Sequence, residues 1–419
     1  MRDKLFAGLF AAALAVIFLW YPTAKLLDIP PADTATLGSQ EQPAEASEGP
    51  LFEIRTKFEQ EKARIKNLSK SHFPFYEEVL FNVPKIDNAA NAALFRMSGV
   101  SEFYPVHASE NYFFKSVEDG SVIRLYPYAG FYYDNGIVSM SNFYNRLAAD
   151  NPKLHFNIYS ISSLSVTDAL DGYRLHMDGH GRYPEQLRTL LSPQIAFDYL
   201  KIDSLEDYRS MFYRSDHHWN IFGAYQGYQD AINMLREKNP ELSEPISDVE
   251  FFEVPDLVYR GSAARLTADD SLTDSIWDMR AELPPYTVQV GDRVYESDHL
   301  MGFSYRENYW AGEWNEAEYY NHYAFYFHYD YGEVRYDFHK GSGQNLLVFV
   351  DSMSNCIEEY IASHFDKTFA VDLRYYEEQT GQKFNFKQYV EENEITDVLF
   401  FGQASSLMFG FPVDSGVWN

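Results

Sequence analysis

With 419 residues, 46% of them hydrophobic and 23% charged, the chain is long enough for one large globular body or two ordinary ones. Its net charge of −28 repels nucleic acid and anionic lipid headgroups, which excludes both as partners of that body. The single cysteine, Cys356, excludes an intramolecular disulfide, and its apolar helical surroundings place it in the core.

The N-terminus carries a topological signal. Arg2 and Lys4 precede the apolar run Leu5–Tyr21, which Pro22 closes. The run is just long enough to cross a bilayer's hydrocarbon layer. The charges before it predict a cytoplasmic N-terminus and an exported body. A cleavable signal peptide is the alternative, although no A-x-A site follows the run. Both readings put the body outside the cytoplasm. We therefore expect an anchor over residues 1–27 and a flexible linker over 28–50. The linker holds Pro, Ala, Ser, Glu and Thr with almost nothing that packs. A charged helical stretch, Phe52 to Lys70, leads into the body over 51–419.

Short apolar runs alternate with helical patterns along that body. Predicted strands are Leu154–Tyr159, Asn345–Val350, Thr368–Leu373 and Asp397–Phe401. Helices are expected around Met140–Ala149, Ser354–Phe365 and Phe386–Asn393. Near-continuous apolar strands bounded by helices predict an α/β fold with a mostly parallel sheet covered on both faces. Residues of about 241–340, rich in Tyr, Phe, Glu and Asp, read as a β-rich insertion of hairpins and loops. The run Tyr319–Tyr336 offers rings for stacking on sugars, or alternate residues of a half-buried β segment. His176, Asp178 and His180 have the look of a metal loop, with a plain solvent loop as the competing reading. No Gly-rich phosphate loop is present, since Gly341-Ser342-Gly343 is too short, and no cofactor is implied.

Two motifs carry chemistry. In Ser215-Asp216-His217-His218-Trp219-Asn220, an amphipathic helix follows with Asn220 as its candidate N-cap. Residues two apart in the turn before it project to one side, so Asp216 can accept the Nδ1 proton of His218 and leave Nε2 as a general base. Trp219 can wall the site. The competing readings are a capping Asp beside half-buried histidines, or a metal site formed by Asp216, His217 and His218. The second motif is Asp351-Ser352-Met353-Ser354-Asn355, between an apolar strand and a helix. A serine there is exposed at the carboxyl edge of the sheet, where open α/β folds place ligands. Asp and Ser are also ordinary helix-start residues. Together the two motifs hold the three parts of a nucleophilic triad, Ser352, His218 and Asp216.

Tyr213–Trp219 followed by Gly223-Ala224-Tyr225 resembles the signature of the DHHW family of SGNH-hydrolase-like envelope proteins, which are related to periplasmic alginate O-acetyltransferases. Leu346–Ser352, Val371–Tyr376 and Ile395–Leu399 extend the resemblance over most of the body, most weakly over 241–340. The resemblance implies an SGNH-like three-layer α/β/α sandwich and an O-acyltransferase or esterase acting on a cell-surface polysaccharide. Ser352 would be the nucleophile, His218 the base and Asp216 its orienting partner. A membrane-bound acyltransferase that delivers the acetyl group is the implied partner. A glycan-binding scaffold without turnover is the rival, because Val350 stands where the GDS block of SGNH hydrolases has Gly. Their separate Gly and Asn oxyanion blocks are not identifiable either. Asn355 is a candidate oxyanion donor and Arg374 a candidate substrate clamp; helix-start and salt-bridge duties are the alternatives.

Overall fold

A computed structural model describes residues 103–407 apart from 107–111, 117–119, 126–129, 163–182, 256, 268, 270, 298–321 and 328, together with 411, 417 and 418. The chain divides into two units, Met1–Ile86 and Asp87–Asn419, and all described residues belong to the second. The Leu5–Tyr21 run, the linker and the His176–His180 loop lie outside the described residues. Among the described residues, no helix is long and apolar enough to cross a membrane.

In chain order, β1 (Phe103–Val106), β2 (Tyr112–Ser116) and β3 (Val122–Leu125) pair antiparallel as a small sheet. Helix α1 (Gly130–Asp150) leads to β4 (His155–Ile161), and α2 (Tyr183–Leu190) leads to β5 (Ile195–Tyr199). Helices α3 (Leu205–Met211) and α4 (Ile221–Lys238) follow. Strands β6 (Glu250–Glu253) and β7 (Trp277–Arg280) pair around α5 (Ser262–Thr267). Next come β8 (Tyr286–Val290), β9 (Arg293–Ser297), α6 (His322–Phe327), β10 (Glu333–Asp337) and β11 (Asn345–Phe349). The remaining elements are α7 (Glu358–Ala362), β12 (Lys367–Val371), α8 (Tyr376–Thr380), α9 (Phe386–Glu392) and β13 (Asp397–Gln403).

The main sheet has eight strands in the order β5-β4-β13-β11-β12-β10-β8-β9. Its first five strands are mutually parallel, and β10, β8 and β9 extend it antiparallel. The fold is thus mixed α/β. All four predicted strands are present, with edges moved by one or two residues. Part of the stretch read as an insertion, β8 to β10, joins the main sheet.

Strand pleating explains the sheet's double burial. Leu346 and Val348 of β11 enter one core with Trp219, Tyr228 and Leu235 at the start of and along α4. Leu347 and Phe349 enter the opposite core with Tyr144 of α1, Leu187 of α2 and Phe386 of α9. Every residue of β11 is buried, which accounts for its unbroken apolar run. Cys356 is buried, as expected.

Two local expectations change. The predicted helix Ser354–Phe365 is a 3₁₀ turn, Ser354–Cys356, followed by the short α7. The Ser354 hydroxyl sits 3.0 Å from Asp351 O and 2.6 Å from the Glu358 carboxylate, and such local bonds compete with a regular helical start. A helix this short gives Ser352 little dipole support. The aromatic run is helical over His322–Phe327 and ends in strand β10, where buried and half-buried residues alternate. Tyr323, Tyr326 and Phe327 sit on one face of α6, at spacings of three and four, and all are buried. That placement leaves Tyr323 and Tyr326 no face for a sugar; Tyr320 lies outside the described residues.

Candidate active site

The DHHW segment is a closed loop. Phe212 and Trp219 form an antiparallel bridge, Tyr213 N–H donates to His218 O at 3.2 Å, and Asn220 N–H donates to Met211 O at 2.8 Å. Asn220 then caps α4 by accepting from the N–H groups of Phe222 and Gly223. Gly223 is required because a Cβ there would lie 2.4 Å from Met211 O. The loop is pinned from outside as well. Ser215 donates to Asp274 through both its N–H and its hydroxyl, and Ser215 O accepts from the N–H groups of Ala263 and Ala264 in α5.

Within this loop Asp216 is 3% exposed and surrounded by donors. Its Oδ2 accepts from the Tyr259 hydroxyl at 2.5 Å, and Oδ1 accepts from the Ser262 hydroxyl at 2.7 Å and from His217 N–H at 2.6 Å. His218 Nδ1 lies 3.2 Å from Asp216 Oδ1. Burial pushes the Asp216 carboxyl up, yet His218 and His217 together outweigh it and hold the group well below the usual carboxylate range. Burial pushes His218 below its ordinary value, and His217 adds to the fall against the opposing pull of Asp216. At pH 7 the pair is therefore a carboxylate beside a neutral imidazole. The carboxylate fixes the proton on Nδ1 and leaves Nε2 as an acceptor.

That acceptor meets Ser352. The distance from His218 Nε2 to Ser352 Oγ is 2.9 Å, between residues 134 apart in the chain. Ser352 stands at the carboxyl edge of the sheet, just past β11, as the strand-to-turn pattern predicted. The Tyr323 ring lies flat on the His218 imidazole, with centroids 3.6 Å apart and planes 4° apart. An imidazole clamped between Asp216, Ser352 and Tyr323 has one orientation. A hydroxyl paired in this way can lose its proton to Nε2 and act as a nucleophile.

The other sequence candidates take different places. Trp219 is fully buried and does not wall the site. Its Nε1 donates to Met353 O at 2.8 Å, so it ties the loop of the first motif to the turn of the second. Gly227 makes room for it, since a Cβ there would lie 2.6 Å from the indole. Asn355 donates through Nδ2 to Asp330 at 3.0 Å. Half-exposed Arg374 pairs with Asp372 at 2.5 Å and with Asp330 at 3.1 Å. Asp330 thus joins both candidates at the rim of the Ser352 turn.

Asp216, His217 and His218 each bring a possible metal-ligand atom within 4.8 Å of the others. In this arrangement Asp216 is satisfied by four donors, and both nitrogens of His218 face protein partners. The geometry is that of a hydrogen-bonded relay. Sequence reasoning missed Tyr259, Ser262 and Asp330, and took Tyr323 for a sugar-stacking ring or a half-buried β residue rather than the ring that lies on His218. Each is an ordinary residue in a segment far from both motifs, and only the folded chain brings it near.

No protein-family model matches the chain, and no curated protein matches it. Solved structures do. Bacillus cereus PatB1 with a sulfonyl adduct is 17% identical, with a TM-score of 0.53 over 72% of this chain and 97% of that one. A DHHW family protein from Eubacterium siraeum is 15% identical, with a TM-score of 0.52 over 73% of this chain and 94% of that one. The chain shares the fold of a DHHW protein. The resemblance read from the sequence thus has a counterpart in three dimensions. A second PatB1 structure agrees, at 18% identity and a TM-score of 0.51 over 70% of this chain and 96% of that one.

Proposed function

We propose that this chain is an SGNH-like O-acyltransferase that moves an acetyl group onto a polysaccharide outside the cytoplasm. The observation that carries the proposal is the 2.9 Å contact between Ser352 Oγ and His218 Nε2, with Asp216 on the other imidazole nitrogen. In the first half-reaction Ser352 Oγ attacks the donor's acyl carbonyl and its proton passes to Nε2. The imidazolium then protonates the leaving group, and an acyl-Ser352 ester remains. In the second half-reaction a sugar hydroxyl gives its proton to Nε2 and attacks that ester, and the imidazolium returns the proton to the departing Ser352 Oγ. Asp216 holds the imidazole and stabilises its charged form throughout.

The DHHW fold and the resemblance of Tyr213–Trp219 support an envelope polysaccharide as acceptor. They also support a membrane-bound acyltransferase as the source of the acetyl group. The Leu5–Tyr21 run supports tethering to the membrane with the body outside.

The test is covalent labelling. The PatB1 structure holds a sulfonyl adduct, so a sulfonyl fluoride and an activated acetyl ester are suitable probes. Intact mass should show one sulfonyl or acetyl group on the wild-type chain and none on Ser352→Ala. A folded wild-type sample that takes up neither reagent removes the acyl-transfer reading and leaves a glycan-binding scaffold.

A further inference from the structure

Attack on an acyl carbonyl turns its oxygen into an oxyanion, which needs two donors about 2.7–3.1 Å away. Most donors around Ser352 are already committed. Met353 N–H donates to Asp351 Oδ1 at 3.0 Å, Ser354 N–H to Asp351 O at 3.1 Å, and Asn355 Nδ2 to Asp330 at 3.0 Å. Ser352's own N–H has no partner among the described residues, and it supplies one donor.

The sheet register supplies a second. Phe349 of β11 pairs with Phe400 of β13. Ser352 stands three residues past Phe349, and Gln403 stands three past Phe400, on strands about 4.8 Å apart. The chains stay side by side beyond the ladder, because Asp351 Oδ2 accepts from Gln403 N–H at 2.9 Å. Gly402 permits this approach, since a Cβ there would fall 2.8 Å from that carboxylate. Gln403 also lies on the correct face. Phe401, two residues earlier, packs in the same core as Trp219 and Val350, and alternate strand residues share a face. Gln403 is half-buried, and its side-chain amide makes no hydrogen bond among the described residues.

We propose that the Gln403 side-chain amide is the second oxyanion donor, acting with Ser352 N–H. As the Ser352 Oγ–carbon bond forms, the carbonyl π pair moves onto oxygen, and Gln403 Nε2 donates a hydrogen bond to it without transferring its proton. When the tetrahedral species collapses, the leaving group departs and the carbonyl re-forms. This assignment rests on the acyl-transfer reading above.

The experiment measures acetylation of Ser352 by 4-nitrophenyl acetate in the full chain and in Gln403→Ala, Gln403→Asn and Gln403→Glu. The structural duty of Gln403 runs through its backbone N–H, which all three variants keep. Gln403→Ala and Gln403→Glu should lower kcat roughly 10²–10³-fold with KM nearly unchanged, and Gln403→Asn should fall between them and the wild type. The acid limb of the pH–rate profile, set by His218, should not move. Wild-type rates in Gln403→Ala overturn the assignment, as do wild-type rates in Gln403→Glu, whose ionised carboxylate has no proton to donate. A fall carried by KM, or by loss of the folded state, assigns Gln403 a structural role and also overturns it. A wild-type chain that is never acetylated defeats the acyl-transfer reading itself.

Discussion

Replacing Tyr259 with Phe removes one hydroxyl and leaves the ring in place, so it isolates the bond to Asp216. That bond is 2.5 Å long and buried at both ends. Burial, and then the Asp216 charge, hold the Tyr259 phenol well above its ordinary pKa, so it stays protonated and donates. A hydrogen bond to a buried ionised group contributes roughly 1.5–3 kcal/mol, and Tyr259→Phe should lose about 2 kcal/mol of unfolding free energy at pH 7. If the loss falls on the ionised form, the Asp216 carboxyl rises by roughly one to two pKa units, at 1.36 kcal/mol each. The sign of the pH dependence follows from Asp216 lying below its ordinary value of 3.8 when folded. Its stabilising contribution is present above that value and is lost as pH falls through the folded pKa. The Tyr259→Phe deficit should therefore be full at pH 7 and shrink below 3.8. Urea unfolding of wild type and variant, compared by midpoint at constant m, reads the difference. A deficit under about 0.5 kcal/mol at pH 7 in a correctly folded variant would refute this reasoning, because it falls below the range for a charge-assisted buried bond.

Because His218 lies below its ordinary value of 6.5 and must be neutral to accept a proton, acylation of Ser352 should rise with pH along a limb centred below 6.5. A limb centred above 7 in a pH–rate profile would contradict the burial argument. Gly227→Ala places a Cβ 2.6 Å from the Trp219 indole, so thermal unfolding should drop by several degrees and labelling of Ser352 should slow as the turn at Met353 shifts. His364 sits between the Tyr228 and Ser243 hydroxyls, and burial pushes its pKa down to about 4. The unfolded chain takes that proton first, so stability should fall as pH drops from 6.5 towards 4, by about 3 kcal/mol. His364→Gln should flatten that slope in denaturant titrations.

The strands were legible because burial on both faces leaves an unbroken apolar signal, as in Leu346–Val350, and short parallel strands have few other sources of such runs. Asp216, His218 and Ser352 were legible because two local patterns each fixed a side-chain direction. Their meeting was not, since it depends on a contact across 134 residues. Trp219 misled for a related reason: a ring beside a reactive histidine reads as a wall, but its partner is a carbonyl in the other motif. The aromatic run holds two periods: its end is strand β10 with alternate residues buried, as the β reading had it, while His322–Phe327 is helical. Tyr323 with Tyr326 and Phe327, three and four residues on, suits α6 better than a pleat. The antiparallel extension by β8–β10 has no local signature, because an alternating strand looks the same in a separate hairpin and at the flank of a larger sheet.

The strand nearest the C-terminus, β13, fills the middle of the sheet between β4 and β11. A growing chain already carries the His218 imidazole and the Ser352 hydroxyl before residue 397 has been made, but β4 and β11 then lack the strand that joins them in the sheet. Joining β4 and β11 through β13 is therefore a slow, long-range step in folding. A chain without β13 would expose two unpaired strand edges, which marks it for aggregation or proteolysis.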